Sequence, residues 1–288
     1  MMRGYLIAAG LVTLLIALLA LTGPKAGAQS ASASQPGAAS RPVNKNLAHL
    51  TDFNVVELRR YTINDGERDN FARYFETYFP DAFQQQGAII FGQFVDEGKT
   101  NAFTWLRGFH NTDDRAKINA GFYYGPLWKE RADTMNSRLI DHTNVLLLKP
   151  LRPERAIPVL PVVDPVRESA GAQGIVVMQI FSAKAGGVDE LAAQAEPAFA
   201  RYRAAGVREA GVLATLDVVN NFPQLPFRTD GPYLVWLGIA KDKQMVERFK
   251  ATALQSAKTL ADGSLLRAAP ETVVLQPTPR SRLRWLAE

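Results

Sequence analysis

The stretch FTWLRGFHNTDD, residues 103–114, has the pattern of a β-strand that runs into an α-helix. Trp105 and Arg107 share one side of this strand with the two flanking phenylalanines, and a period of two residues is that of a strand. The Asn-Thr-Asp sequence that begins at Asn111 is a helix-start signal. Because a strand followed by a helix occurs in several folds, the flanking sequence decides which fold this is.

The landmarks around this stretch occur twice along the chain in the same order. In the first copy VVELRRYT is followed by Asp65-Gly66 and a helix, then by Gly87, Gly92, TWLRGF, a second helix and VLLLKP. In the second copy IVVMQIFS is followed by Gly186-Gly187 and a helix, then by Gly206, Gly211, VWLGIA, a second helix and VVLQP. The second copy has an insertion, NNFPQLPFRTDG, between its middle strands. Each copy reads β-α-β-β-α-β, which predicts an internal duplication of a ferredoxin-like unit.

The helices of both copies carry an apolar stripe that must face a sheet. The stripe of the first copy is aromatic and consists of Phe71, Tyr74, Phe75, Tyr78, Phe79 and Phe83. The second copy has a thinner one, Leu191, Ala195, Phe199 and Tyr202. Pro80 and Pro197 lie inside these helices and predict a bend or an early end.

A four-stranded sheet with helices on one side leaves its other face bare, and two such sheets can cover each other face to face. We therefore predict an α+β fold in which two tandem ferredoxin-like repeats form an intramolecular dimeric α/β-barrel with its helices outside. The expected domain order is a signal peptide (1–28), a disordered linker (29–51), the first repeat (52–150), a Pro-rich linker (151–173), and the second repeat with a C-terminal tail (174–288).

The N-terminal residues predict export. Residues 6–21 are apolar except for Thr13, and Ala26-Gly27-Ala28 has the small-x-small pattern of a signal-peptidase site. Cleavage before Gln29 is the expectation, and a retained membrane anchor is the alternative. Cleavage lowers the formal net charge from +5 to +3, too little to suggest nucleic-acid binding. The absence of cysteine excludes disulfides and thiolate metal sites and suits a bacterial periplasm or secretion.

Strand alternation groups the candidate site residues. Val56 and Leu58 share one face of the first strand, which we expect to meet the helices. The opposite, mixed face and its counterpart on the next strand are expected to point between the sheets, and bring together Glu57, Arg59, Tyr61, Trp105 and Arg107. Buried charges must be paired or meet ligand and water, so these residues form a structural Glu-Arg network or a polar ligand cavity. The second copy lacks the charges, so a site would belong to the first repeat.

Two further groups are ligand candidates. The segment GFYYGPLWKERADTMN, residues 121–136, is rich in aromatic residues, and we expect Tyr123, Tyr124 and Trp128 to lie over a barrel mouth as core or as a pocket wall. His110 follows the strand on the face opposite Trp105, which indicates a surface or capping histidine, with a catalytic or ligating role as the alternative.

Common catalytic and metal-binding templates are absent from the sequence. It contains no H-E-x-x-H, G-x-S-x-G, G-x-G-x-x-G or P-loop motif. The remaining histidines, His49 and His142, form no spaced pair, so a protein metal site is not expected. No motif implies a cofactor.

Several segments resemble the NIPSNAP family of the dimeric α/β-barrel superfamily. They are ELRRYT, FTWLRGF, FYYGPLWKE and NVLLLKPL in the first repeat, and LQPTPRSRL near the end of the chain. The resemblance covers residues 52–283 and is stronger in the first repeat. It implies a ferredoxin-like barrel. The superfamily includes haem-degrading and cofactor-free monooxygenases, chlorite dismutase-like haem proteins and small-molecule isomerases. Its haem-binding members need an axial or proximal histidine. His110 is the only histidine near a predicted strand end, and the sequence does not match the haem-binding pattern residue by residue, so haem is neither implied nor excluded.

Three functional hypotheses follow. The first is an exported protein that binds a small molecule between the sheets of the first repeat. The second is a monooxygenase-like enzyme that acts on an aromatic or quinonoid substrate, with Arg59 and Arg107 polarising the substrate and Trp105 stacking on it. The third is a structural interaction module without a pocket. A small-molecule ligand is the expected partner, with no nucleic acid and, after signal cleavage, no membrane; a homo-oligomer stays open.

Overall fold

The computed structural model of the chain describes residues 52–261 and 265–287. The predicted signal peptide (1–28) and the predicted disordered linker (29–51) both lie outside the described part. Within the described ranges, none of the helices has the length and apolar content needed to cross a membrane.

The first repeat contains five strands and three helices. In chain order these are β1 (Val55–Ile63), α1 (Arg68–Gln85), β2 (Ile89–Asp96), β3 (Ala102–Phe109), α2 (Thr112–Tyr123), α3 (Pro126–Asn136), β4 (Leu139–Asp141) and β5 (Val145–Pro150). The second helix of the predicted unit is therefore two helices. α1 continues past Pro80, so the expected early end of this helix is wrong.

The second repeat contains four strands and two long helices. In chain order these are β6 (Ile175–Ser182), α4 (Val188–Ala204), β7 (Arg208–Thr215), β8 (Tyr233–Ala240), α5 (Lys243–Ala261) and β9 (Glu271–Pro277). α4 likewise continues past Pro197. A short 3-10 turn, Pro153–Arg155, lies in the Pro-rich linker between the repeats.

The glycines that recur in the sequence do the same structural work in both repeats. Gly87 and Gly206 follow α1 and α4 with φ of 104° and 97°, a left-handed conformation that favours glycine at helix ends. Gly92 and Gly211 lie at matching bulges in β2 and β7. These matches confirm the predicted pair of ferredoxin-like repeats.

The two sheets join into one closed barrel. Each repeat has its strands in the ferredoxin-like order, β5-β1-β3-β2 in the first and β9-β6-β8-β7 in the second. Antiparallel pairing of β2 with β9 and of β5 with β7 then links both edges and closes eight strands, while β4 extends from the end of β1. The predicted barrel is confirmed, but the repeats meet edge to edge as well as across the interior, which removes all four free edges.

The barrel interior is mainly aliphatic, with Phe91 and Phe94 among its residues, and is shared by both repeats. Val56, Leu58 and Leu148 of the first repeat meet Met178 and Leu237 of the second in one buried cluster. The expectation that Val56 and Leu58 face the helices is therefore wrong. The opposite face of β1 and β3, with Trp105 among its residues, contacts the helix layer instead, where α1 contributes Phe71, Phe75, Phe79 and Phe83.

Candidate functional site

One carboxylate on β1 is surrounded by three guanidinium groups. Glu57 Oε2 accepts hydrogen bonds from Arg59 Nη1 at 2.7 Å and from Arg107 Nε at 2.8 Å. Its other oxygen, Oε1, accepts from Arg115 Nε of α2 at 2.6 Å. All four side chains are buried, since none is more than 1% exposed. The network joins β1 and β3, the two inner strands of the first repeat, to α2 in the helix layer.

The charges of this network are fixed by their neighbours. Burial alone would raise the pKa of Glu57, but Arg107, Arg59 and Arg115 outweigh it and hold that pKa far below its ordinary value. Burial would likewise lower the pKa of Arg59, yet Tyr61 and Glu57 keep it above its ordinary value. Both groups are therefore ionised at neutral pH. Burial raises the pKa of Tyr123, whose phenol is therefore neutral.

Sequence reasoning did not include Arg115. It lies on the buried face of α2, and the residues of that face are Arg115, Ile118, Asn119 and Phe122. Their spacing of i, i+3, i+4 and i+7 is the signal that could have assigned Arg115 to the interior. The helix begins at Asn111, whose side chain accepts a hydrogen bond from the Asp114 backbone, so the helix start itself was correctly read.

A cavity of about 560 Å³ opens between the helix layer and the outer face of the first sheet. Its polar floor includes Arg59 and Tyr61, and Arg59 Nε donates a hydrogen bond to the Tyr61 oxygen at 2.8 Å. Most of the remaining lining is aromatic. These residues are Phe75, Phe79, Phe83, Trp105, Phe122, Tyr123, Tyr124, Trp128 and Phe222.

A break in the helix layer accompanies this cavity. α2 ends at Tyr123, Gly125 has an extended conformation, and Pro126 begins α3, where its missing N–H costs no helical hydrogen bond. The single helix α5 occupies the equivalent place in the second repeat without interruption. The Gly125-Pro126 break therefore lets α2 and α3 take different directions, and residues of both helices line the cavity.

The corresponding space in the second repeat is filled. Strand pairing makes Gln179 the equivalent of Arg59, and makes Trp236 the equivalent of Trp105. Trp236 stacks on Phe249 at 5.6 Å between ring centroids and contacts Tyr202 edge-on. The Tyr202 hydroxyl donates a hydrogen bond to the side-chain oxygen of Gln179, so these two polar groups satisfy each other inside the core. The second repeat thus has a packed core where the first has a cavity.

The insertion of the second repeat, residues 220–231, forms part of the pocket wall in the first. Asn220 and Asn221 accept hydrogen bonds from Arg115 Nη1 at 3.1 and 3.2 Å. Phe222 and Leu225 line the cavity. The sequence marked this segment only as an insertion; its contact with the site depends on barrel closure, which short-range patterns do not report.

Six of the eight predicted ligand-binding residues line the cavity. They are Arg59, Tyr61, Trp105, Tyr123, Tyr124 and Trp128. Glu57 and Arg107 lie behind them in the buried network. The predicted location is wrong, because these side chains contact the helix layer and not the space between the sheets. Tyr123 and Trp128 likewise pack in the helix layer, not over a barrel mouth.

His110 and His142 are both exposed on the first repeat. His110 is exposed, stacks on Phe53 at 4.4 Å, and does not line the cavity. The helix cap is Asn111, so the capping alternative for His110 is wrong. His142, for which the sequence analysis predicts no role, lies exposed at the cavity rim and contacts Tyr61 edge-on at 6.4 Å.

The residues around the cavity do not form a histidine-ligated haem site or a metal centre. Haem iron needs an axial ligand, and the one imidazole of the lining is the exposed rim residue His142. Among the residues that the structure covers, no group of three His, Cys, Asp or Glu side chains could hold a metal ion. The cavity offers instead cationic and phenolic hydrogen-bond donors in an aromatic wall.

The fold and this site define a class, a single-chain version of the dimeric α/β barrel with an aromatic-lined pocket under the helix layer of its first repeat. Two solved structures share the fold at low identity. An anthrone oxidase-like protein is 13% identical with a TM-score of 0.53, covering 82% of this chain and 97% of its own. A putative monooxygenase from Fusobacterium nucleatum subsp. nucleatum is 11% identical with a TM-score of 0.52, covering 81% and 96%.

The family of the first repeat follows from its sequence. The NIPSNAP family model matches residues 56–153, and this repeat belongs to the NIPSNAP family. An uncharacterised NIPSNAP-like domain protein from Burkholderia xenovorans is 25% identical, with 40% of this chain and 98% of that chain covered and a TM-score of 0.33. No curated protein matches the chain.

Proposed function

We propose that the chain binds a small aromatic molecule in the cavity between α1, α2, α3 and the outer face of the first sheet. One observation carries the proposal: an aromatic-lined cavity with a buried guanidinium, Arg59, in its floor. Ligand pockets in proteins are mostly apolar, have volumes of about 300–1,000 Å³, and contain a few polar groups that orient the ligand. The proposed site differs from the one expected between the sheets, since that space is filled by aliphatic side chains.

The comparison between repeats supports binding over a purely structural role. A structural module would gain stability by filling this space, as the second repeat does with Trp236, Phe249 and Tyr202. The first repeat keeps it open next to buried charges, at a cost in packing. Such a cost is typical of functional sites.

A second candidate function is a monooxygenase-like reaction of an aromatic or quinonoid substrate with oxygen. Arg59 and Tyr61 lie where they would stabilise an ionised phenol or enol, the electron-rich form that reacts with oxygen. The names of the two solved structures with the same fold are consistent with this chemistry. Oxygen consumption that depends on an added anthrone or hydroquinone would support it, and binding without oxygen consumption would favour the binding function alone.

Export completes the proposal. The apolar run of residues 6–21 and the Ala26-Gly27-Ala28 motif support a bacterial protein that is cleaved before Gln29 and acts in the periplasm or outside the cell. Intact-mass measurement of the exported protein checks this. A species that retains residues 1–28 in the membrane would contradict cleavage.

Native mass spectrometry of the protein purified from its source tests the binding function. We expect one bound molecule per pocket. Leu139→Trp, which fills the cavity, should remove it, whereas the matched change Val219→Trp, at an exposed position directly before the insertion, should keep it. A bound molecule that persists in Leu139→Trp and is lost in Val219→Trp would place the site elsewhere and contradict the proposal.

A further inference from the structure

We infer that the bound molecule is an anion, with an oxyanion on an aromatic body, and that Arg59, Tyr61 and Trp105 hold this oxyanion. The inference rests on the proposed function, because it names the chemical class of the molecule in the same cavity. Carboxylates and ionised phenols or enols share this chemistry. Three features of the molecule support it: the buried network has excess positive charge, the cavity floor has hydrogen-bond donors without an acceptor among the described residues, and the second repeat lacks both the charges and the cavity.

The buried network contains more positive than negative charge. Arg59, Arg107 and Arg115 all pair with Glu57, the one carboxylate bonded to them within residues 52–261 and 265–287. Arginine keeps its charge at any pH that a protein tolerates. One carboxylate therefore leaves an excess of two positive charges among four buried side chains. Buried charge without a partner is unfavourable, so a negative ligand would stabilise this arrangement.

Several donors at the cavity floor have no acceptor among the described residues. Arg59 Nη2 and Trp105 Nε1 are buried and make no hydrogen bond to residues 52–261 or 265–287. The Tyr61 oxygen accepts its hydrogen bond from Arg59, which leaves the Tyr61 proton free to be donated. The Arg59 guanidinium lies 5.6 Å from the Tyr61 ring and 5.7 Å from the Trp105 ring, measured to the ring centroids. Tyr61 and Trp105 are thus both neighbours of the Arg59 guanidinium.

An oxyanion fits these donors better than the alternatives. Water could accept the hydrogen bonds, but it carries no charge and would leave the excess in place. A cationic ligand would add to the excess. An oxyanion accepts two or three hydrogen bonds and compensates charge, and charge-assisted hydrogen bonds are the stronger ones. The aromatic lining then contacts the body of the ligand.

The second repeat serves as an internal control. Its equivalents of Glu57, Arg59 and Arg107 are Val177, Gln179 and Gly238, so the charges are absent there together with the cavity. A Cβ atom at Gly238 would collide with the Trp236 ring, which fills the space over this position. Positive charge and open space therefore occur in the same repeat, as expected if the charge binds the ligand.

Calorimetric titration with three naphthalene derivatives at neutral pH tests the inference. The probes are 2-naphthoate, 2-naphthalenemethanol and 2-naphthylmethylammonium, which share one ring system and differ in charge. We expect 2-naphthoate to bind at least about tenfold more tightly than the alcohol, and the ammonium probe to show no measurable binding. If the alcohol or the ammonium probe binds as tightly as 2-naphthoate, the anion inference is overturned and the aromatic pocket stands.

Variants locate the effect within the cavity. Trp105→Phe removes one unpaired donor and keeps an aromatic ring, and Arg59→Met removes the floor charge. Both should lower the preference for 2-naphthoate over the alcohol by about tenfold or more while the alcohol still binds. The matched control Trp236→Phe, at the equivalent strand position of the second repeat, should leave this preference unchanged. Unchanged preference in both Trp105→Phe and Arg59→Met would overturn the inference.

The failure of the proposed function looks different. If none of the three probes binds the wild-type protein, the cavity does not hold aromatic molecules, and the proposed function falls together with the inference. If 2-naphthoate binds but Leu139→Trp does not weaken it, the anion site lies outside this cavity, which also contradicts both.

Discussion

At the scale of single residues, Glu57 is the group on which the site depends. It accepts hydrogen bonds from Arg59, Arg107 and Arg115, which come from two strands and a helix. Because three guanidinium groups share one carboxylate, removal of Arg107 alone leaves Glu57 with two partners. Removal of the carboxylate leaves three buried positive charges without their shared counter-ion, so Glu57 is the more sensitive position.

Glu57→Gln should destabilise the fold by about 3–5 kcal/mol, as expected when one side of a buried ion pair is removed. Urea unfolding of both proteins gives this difference. The exposed ion pair of Glu247 with Lys250 provides the control, since Glu247→Gln should change stability by less than about 1 kcal/mol. Equal effects of the two substitutions would show that the buried network does not stabilise the fold.

The dependence of stability on pH should carry the signature of the same carboxyl group. The pKa of Glu57 lies far below its ordinary value in the folded protein because of its three arginine partners, although burial opposes this. A group of this kind stabilises the fold above its unfolded pKa of about 4.3, and that contribution is lost as the pH falls through the folded pKa. Wild-type stability should therefore decline below about pH 5, and more steeply than that of Glu57→Gln. If the stability of the wild type and that of Glu57→Gln declined equally as the pH falls, the assignment of this pH dependence to Glu57 would be wrong.

Strand alternation grouped Glu57, Arg59, Tyr61, Trp105 and Arg107 correctly but assigned the wrong direction to the group. Alternation tells which residues share a face and does not tell which face is inside the barrel when both are buried. Here the aliphatic face, with Val56 and Leu58, fills the barrel, and the mixed face meets aromatic helices. Large charged and aromatic side chains fit between the sheet and the helices, because the spacing of helices can vary. The interior of a closed eight-stranded barrel has a fixed width that its own side chains already fill.

At the scale of secondary-structure elements, the pocket depends on the break between α2 and α3 and on the insertion of the second repeat. The Gly125-Pro126 pair that ends one helix and starts the next is visible in the sequence as a helix stop and start. Pro80 and Pro197 look equally disruptive, yet both lie inside continuous helices. Tertiary packing of the aromatic stripe around Pro80 outweighs the local cost of the proline, and single-sequence patterns do not report such packing.

Phe222→Ala should weaken binding of 2-naphthoate by about tenfold, which corresponds to about 1.4 kcal/mol. Phe222 is buried against the cavity and contacts Tyr123 with 6.3 Å between ring centroids. Calorimetric titration measures the change. Val219→Ala, directly before the insertion, is the matched control, because Val219 is 90% exposed and its substitution should leave binding unchanged. If both variants bind like the wild type, the insertion is not part of the site.

At the scale of the whole molecule, the two repeats share one core. The barrel interior joins Val56 and Leu148 to Met178, Leu213 and Leu237, and the two sheets pair at both edges. The recurrence of landmarks predicted two ferredoxin-like units. It did not predict that their sheets join, because edge pairing is a long-range contact between segments that have no sequence signal in common.

Met178→Ala in the barrel interior should lower the stability of both repeats together by about 2–5 kcal/mol, because it leaves a cavity in the shared core. Denaturant unfolding should remain a single transition. Met245→Ala, at the edge of the core near the start of α5, should cost less because Met245 is only partly buried. Two separate transitions, with the first repeat unaffected by Met178→Ala, would show that the repeats fold independently.

The most direct measurement for the location of the site is a crystal structure of the protein with 2-naphthoate. We expect electron density for one 2-naphthoate molecule between α1, α3 and the first sheet. The carboxylate of the ligand should lie within hydrogen-bond distance of Arg59 and Trp105. Because both faces of the sheet are buried, the barrel interior is the natural competing location. Ligand density in the barrel interior, or in the second repeat with the first-repeat cavity closed, would contradict the account.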